Sequence, residues 1–150
     1  MFLRKSFASV VSILTLIASA TVFAGDDAAR LNPNTASDEQ LTTLPHLRDA
    51  EVETIIEGRP YETIGQLNNA LSASLDEDQL DELYGLLFLP INLNTASEAD
   101  ILLIPGVGKR MAHEFEEYRP YKSMEQFRRE MSKYVDDEEV TRLETYVTLD

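Results

Sequence analysis

One stretch of this 150-residue chain combines the residue types and spacing of an anion site: Pro105-Gly106-Val107-Gly108-Lys109-Arg110. Ile101 and Ile104 precede it and Ala112 and Phe115 follow, an apolar spacing that suits two short helices joined by a tight hairpin. The glycines let the backbone turn sharply and leave no side chain between its N–H groups and an approaching phosphate oxygen. Gly108 falls at the start of the second helix, where unpaired N–H groups and the positive end of the helix dipole attract anions. Lys109 and Arg110 stand at the same place. Cations at a helix N-terminus cost roughly 0.3 to 1 kcal/mol each without an anion, so their position points to a recruited phosphate, with ordinary surface charge as the alternative. Val107 is placed to plug the hairpin into the core, and Ala112 to let the helices approach closely. Lys122, Arg128, Arg129 and Lys133 can extend the basic patch, although Glu116, Glu117, Glu125 and Glu130 alternate with them. That mixture supports a weak, salt-sensitive contact.

Catalysis has no comparable constellation. His46 and His113 are the only histidines, cysteine is absent, and no nucleophile elbow, zinc-binding helix pair or dinucleotide loop occurs. Asp136 and Asp137 read as a helix start rather than as a general acid and base. The expectation is a non-enzymatic protein with no catalytic residue, no metal ligands and no cofactor.

The elements that must hold the hairpin emerge from an internal duplication. Shifting the sequence by 60 residues aligns 31–90 with 91–150 without a gap. Asn34-Thr35-Ala36-Ser37 recurs as Asn94-Thr95-Ala96-Ser97, Pro45 as Pro105, and Arg59-Pro60-Tyr61 as Arg119-Pro120-Tyr121. Ser37 with Gln40, Ser97 with Asp100, Thr63 with Gln66 and Ser123 with Gln126 are capping-box-like pairs, and Asp76 and Asp136 open a last helix. Each copy therefore has four short helices, in the second copy near 98–103, 109–118, 124–132 and 137–146. Helices of this length are marginal alone, so Ile101, Ile104, Ala112, Phe115, Phe127, Met131, Val140 and Leu143 must bury against one another. Strand alternation is absent apart from the weak tail Tyr146 to Leu149.

The copies are unequal. His46-Leu47-Arg48-Asp49-Ala50 occupies the positions of Gly106 to Arg110, so side chains fill the phosphate approach and Asp49 suits the helix dipole unaided. The first copy holds 2 basic and 12 acidic residues and the second 8 and 13, which concentrates positive charge beside the glycine hairpin.

Ahead of both copies, residues 1–24 read as a signal peptide: Arg4 and Lys5 precede an apolar, acid-free run from Phe7 to Ala20, with cleavage expected after Ala24. Residues 25–30 form a short N-terminal segment. The run is too short and too interrupted by Ser and Thr for a convincing span, although an uncleaved anchor is the alternative. The mature chain would keep 11 Lys and Arg against 27 Asp and Glu, a net charge of −16, and would be periplasmic or secreted with no stable membrane span. Such acidity opposes nucleic acid at long range, so any anion site must be local and directed.

Residues 91–150 resemble the competence-associated, DNA-binding ComEA family of helix-hairpin-helix proteins. The residues that carry the resemblance are Ile91-Asn92-Leu93-Asn94-Thr95-Ala96-Ser97, Ile104-Pro105-Gly106-Val107-Gly108, Tyr118-Arg119 and Tyr121-Lys122-Ser123-Met124-Glu125-Gln126-Phe127. The resemblance implies an all-α fold of two tandem helix-hairpin-helix (SAM-like) units of four short helices each. It also implies sequence-independent contact of hairpin N–H groups with the backbone of double-stranded DNA, sometimes helped by a hairpin-bound cation, in DNA uptake outside the cytoplasmic membrane. The chain departs from that family at Ser132-Lys133-Tyr134-Val135-Asp136-Asp137, where the family carries a second glycine hairpin and this sequence has two carboxylates and no glycine. The competing expectation is a module that keeps the fold for contacts with envelope proteins after losing nucleic-acid binding.

Overall fold

The computed structural model describes residues 30–150, and the expected leader lies outside the described residues. Eight helices appear among them in two sets of four, an all-α fold. The first set is α1 (Asp38–Thr42), α2 (Asp49–Glu57), α3 (Ile64–Leu71) and α4 (Glu77–Tyr84). The second is α5 (Glu98–Ile101), α6 (Lys109–Glu117), α7 (Met124–Met131) and α8 (Asp137–Glu144). Their starts lie where the polar caps stand. Ser37, Thr63, Asp76, Ser97, Ser123 and Asp136 each accept from the backbone N–H three residues on, satisfying a donor that the first helical turn leaves free.

The repeated polar motifs are clips rather than ligands. Asn34 donates to the Tyr61 carbonyl at 2.8 Å and accepts from the Tyr61 N–H at 2.7 Å, and Asn94 does the same with Tyr121 at 3.0 and 2.7 Å. Arg59 donates to the carbonyls of Pro33 and Ala36, and Arg119 to those of Leu93 and Ala96. Each copy thereby ties its entry loop to the loop before its third helix. The Arg-Pro peptide in that loop is cis in both copies.

Each copy also closes on itself in parallel. Leu31 bridges Leu87 in the first copy, and in the second the two-residue strands β1 (Ile91–Asn92) and β2 (Val147–Thr148) pair with Ile91 opposite Val147. The tail with weak strand character finds its partner 56 residues upstream, a pairing invisible to local periodicity.

All eight residues expected to form the core of the second copy are buried, six of them completely, in a cluster that runs on through Leu41, Ile55, Ile64, Leu67, Leu71 and Leu83 of the first. Two contacts among the described residues illustrate how the copies meet. Phe88, at the end of the first, stands edge-on to Tyr146 of the second at 4.8 Å between ring centres. The Gly65 N–H of α3 donates to Oδ1 of the buried Asp100 on α5 at 2.9 Å. A Cβ at Gly65 would lie 2.7 Å from that oxygen, so a side chain there would push the Asp100 carboxylate out of this contact. Asp100→Ala strands this donor at the junction and is expected to cost about 1 to 3 kcal/mol, read as a lower urea midpoint. A midpoint equal to that of the natural chain would show that the junction contributes nothing.

Candidate nucleic-acid interface

The hairpin joins α5 to α6. Its turn is closed by the Val107 N–H donating to the Ile104 carbonyl at 3.0 Å, and Val107 is buried as the plug the sequence suggested. Gly106 is exposed with φ +79°, a left-handed conformation that disfavours a side chain. Gly108 is the N-cap of α6 in extended conformation, exposed, with no atom within 4 Å of where a Cβ would lie. Its glycine is therefore not demanded by the fold. What it preserves is open space in front of the helix.

The first copy supplies an internal comparison, because its hairpin adopts the same conformation. His46 takes φ +66° where Gly106 takes +79°, and Arg48 caps α2 at φ −103° where Gly108 has −96°. The difference lies in what meets the N–H groups. The Arg48 N–H donates to Oε2 of Glu51 at 2.9 Å, and Glu51 is buried against the helix start. Sixty residues on, Met111 stands in place of Glu51 and cannot accept. No side chain caps α6, and no hydrogen bond among the described residues engages the Gly108 N–H. The Glu51 carboxylate marks, within the same protein, where an anion sits on this hairpin. In the second copy that seat is open.

A second exchange reinforces the first. In the first copy Glu82 pairs with the hairpin residue His46 at 2.8 Å. Its counterpart Arg142 has Nη2 3.4 Å from the Cβ position of Gly106. A carboxylate behind one hairpin has become a guanidinium behind the other. Sequence reasoning overlooked Arg142, which lies 34 residues from the turn, although the 60-residue register with Glu82 was a usable signal. Arg142 is held by Glu139 through two bonds of 2.6 and 2.7 Å, which raises its already high pKa further.

The structure sorts the remaining basic residues. Lys109, Arg110 and Lys122 are exposed, and none is within ion-pair distance of a carboxylate among the described residues. Arg128 pairs with Glu144 at 2.9 Å, while Arg129 and Lys133 both bind the buried Glu130. The Glu130 carboxyl is held below its usual range by Lys133 first and Arg129 second, and Lys133 is raised in return. These three cations are largely compensated inside the fold. Tyr134, in the glycine-free loop between α7 and α8, shares a hydrogen bond of 2.8 Å with the Tyr118 hydroxyl. No group of three or more potential metal-binding side chains occurs among the described residues, and no helix there is long and apolar enough to cross a membrane.

Neither the curated proteins nor the solved structures give a match. Residues 89–148, the second copy almost to its ends, match the family model described as the helix-hairpin-helix motif, and the open turn before α6 lies within that match.

Proposed function

We propose that the chain is a non-enzymatic, exported protein whose second copy binds the backbone of double-stranded DNA without reading its sequence, and whose first copy is a scaffold. One observation carries this reading. The same hairpin occurs twice, closed by the Glu51 carboxylate in the first copy and left open at Gly108 in the second, beside the cations Lys109 and Arg110, which form no ion pair among the described residues. A phosphate oxygen can take the place that Glu51 takes at Arg48, with Lys109, Arg110 and Lys122 adding charge that is otherwise unfavourable or idle. Pro105, Gly106 and Val107 shape the turn, and Arg128, Arg129 and Lys133 act at most through their exposed edges. The leader pattern of residues 1–24 and the resemblance to competence proteins support a place outside the cytoplasmic membrane and a part in DNA uptake. The self-capped hairpin and excess acid of the first copy suit a surface turned toward an envelope protein.

The test is a titration of labelled duplex DNA over a salt series, with the natural chain beside Gly108→Leu. With about three phosphates neutralised, affinity is expected to fall roughly fortyfold between about 50 and about 200 mM salt. Gly108→Leu has room to fold and should lose about tenfold or more in affinity, because its side chain fills the approach to the N–H groups. Binding that ignores salt, or that Gly108→Leu leaves intact, would overturn the proposal.

A further inference from the structure

Beside the hairpin lies a hollow of about 250 Å³, lined by Gly108, Arg110, Met111, Glu114 and Tyr134. A phosphate on the Gly108 N–H leaves its aromatic wall unused. Tyr134 is 36% exposed, one of two large hydrophobic side chains exposed among the described residues. Its ring is tied in place, because the hydroxyl bonds the Tyr118 hydroxyl at 2.8 Å and also the Glu114 side chain. The Lys133 ammonium already lies over the Tyr118 ring, 4.7 Å from its centre, so Tyr134 is the ring of this pair left for a ligand.

The first copy lacks all of these parts. Ser74 stands in place of Tyr134, Gly58 in place of Tyr118 and Glu51 in place of Met111, and that glutamate takes the hairpin N–H. The tethered ring therefore accompanies the open hairpin and is not demanded by the shared fold. At the rim of the hollow the chemistry is the opposite. The Gly108 N–H has no partner and Arg110 no ion pair among the described residues. A ligand that satisfies rim and wall together joins an anion to a flat apolar body, which is the chemistry of a nucleotide.

We propose, resting on the backbone-binding reading above, that the site takes DNA at the junction between duplex and single strand, with an unpaired base of any kind laid against Tyr134 and Met111 and its phosphate on the Gly108 N–H. Bases inside a duplex are stacked on one another and show the grooves only their edges, so the ring is idle against intact duplex. An unpaired base has a free face. Stacking on an aromatic side chain is tolerant of sequence because every base has such a face, so the contact adds affinity without reading the sequence.

The experiment uses the full chain and three labelled probes: a blunt duplex, the same duplex with a short single-stranded extension, and that extension with abasic sites in place of its nucleotides. The abasic extension keeps every phosphate and lacks only the bases. The base-bearing extension is expected to bind about fivefold or more tighter than the abasic one, whichever base it carries. Tyr134→Ser, the residue of the first copy, should erase this advantage, and Tyr134→Phe, which keeps the ring, should retain it. Equal affinity for the two extensions, with salt-sensitive binding of the blunt duplex preserved, overturns this inference alone. An advantage confined to one base, one that survives in Tyr134→Ser or one lost in Tyr134→Phe overturns it too. Absence of binding to all three probes takes the backbone reading down with it.

Discussion

Replacing Met111 with Glu is expected to remove most nucleic-acid binding while leaving the fold at least as stable as before. The substitution copies into the second copy the residue that closes the first. Glu51 sits three residues after the N-cap Arg48 and accepts its N–H at 2.9 Å, and Met111 stands in the same relation to Gly108. A carboxylate in the first turn stabilises a helix by roughly 0.3 to 1 kcal/mol, and here it also offsets the unfavourable charges of Lys109 and Arg110. The phosphate then meets an occupied seat. Losing a charge-assisted hydrogen bond of about 1.5 to 3 kcal/mol lowers affinity by about tenfold or more. Fluorescence anisotropy with labelled duplex and urea unfolding on the same sample check both halves. Unchanged affinity in a stably folded variant would mean that the Gly108 N–H is not where the anion binds.

The second large effect concerns stability. Phe127 on α7 is completely buried, with Phe115 of α6 edge-on at 5.1 Å and Tyr121 at 5.7 Å between ring centres. Phe127→Ala removes the ring shared by both contacts and leaves a cavity between the helix that carries the site and the helix that supports it. A loss of about 3 to 5 kcal/mol is expected, which is a third or more of the stability of many domains of this size. Because the buried residues form one cluster through both copies, urea or heat should unfold the variant in a single transition shifted to milder conditions. A shift worth less than about 1 kcal/mol, or two separate transitions in the natural chain, would contradict this picture.

The duplication, the helix starts and the core were legible because each is written locally. Caps such as Ser97 and Asp136 act on N–H groups three residues away, and the apolar spacing around Ile101, Ile104, Ala112 and Phe115 needs only helical periodicity to place those residues on one face. The hairpin and its buried Val107 followed from the same local pattern. The register of the repeat even aligned Glu51 with Met111, but it did not say that Glu51 folds back onto the Arg48 N–H.

The sequence by itself thus determined an all-helical pair of related units and the one turn with glycines open to an anion. Tertiary structure decided which charges remain for a ligand. Lys122 stays uncompensated while Arg128, Arg129 and Lys133 are drawn to Glu144 and Glu130, and Arg142 arrives behind Gly106 from 36 residues further along the chain. It also brought Tyr134 to the cleft that Glu114 lines, and joined the two copies through Gly65 and Asp100. The reason is physical. Helix formation and capping are set within a turn or so, whereas the net charge and exposure of a site depend on partners that only the packing of distant helices brings within a few ångströms.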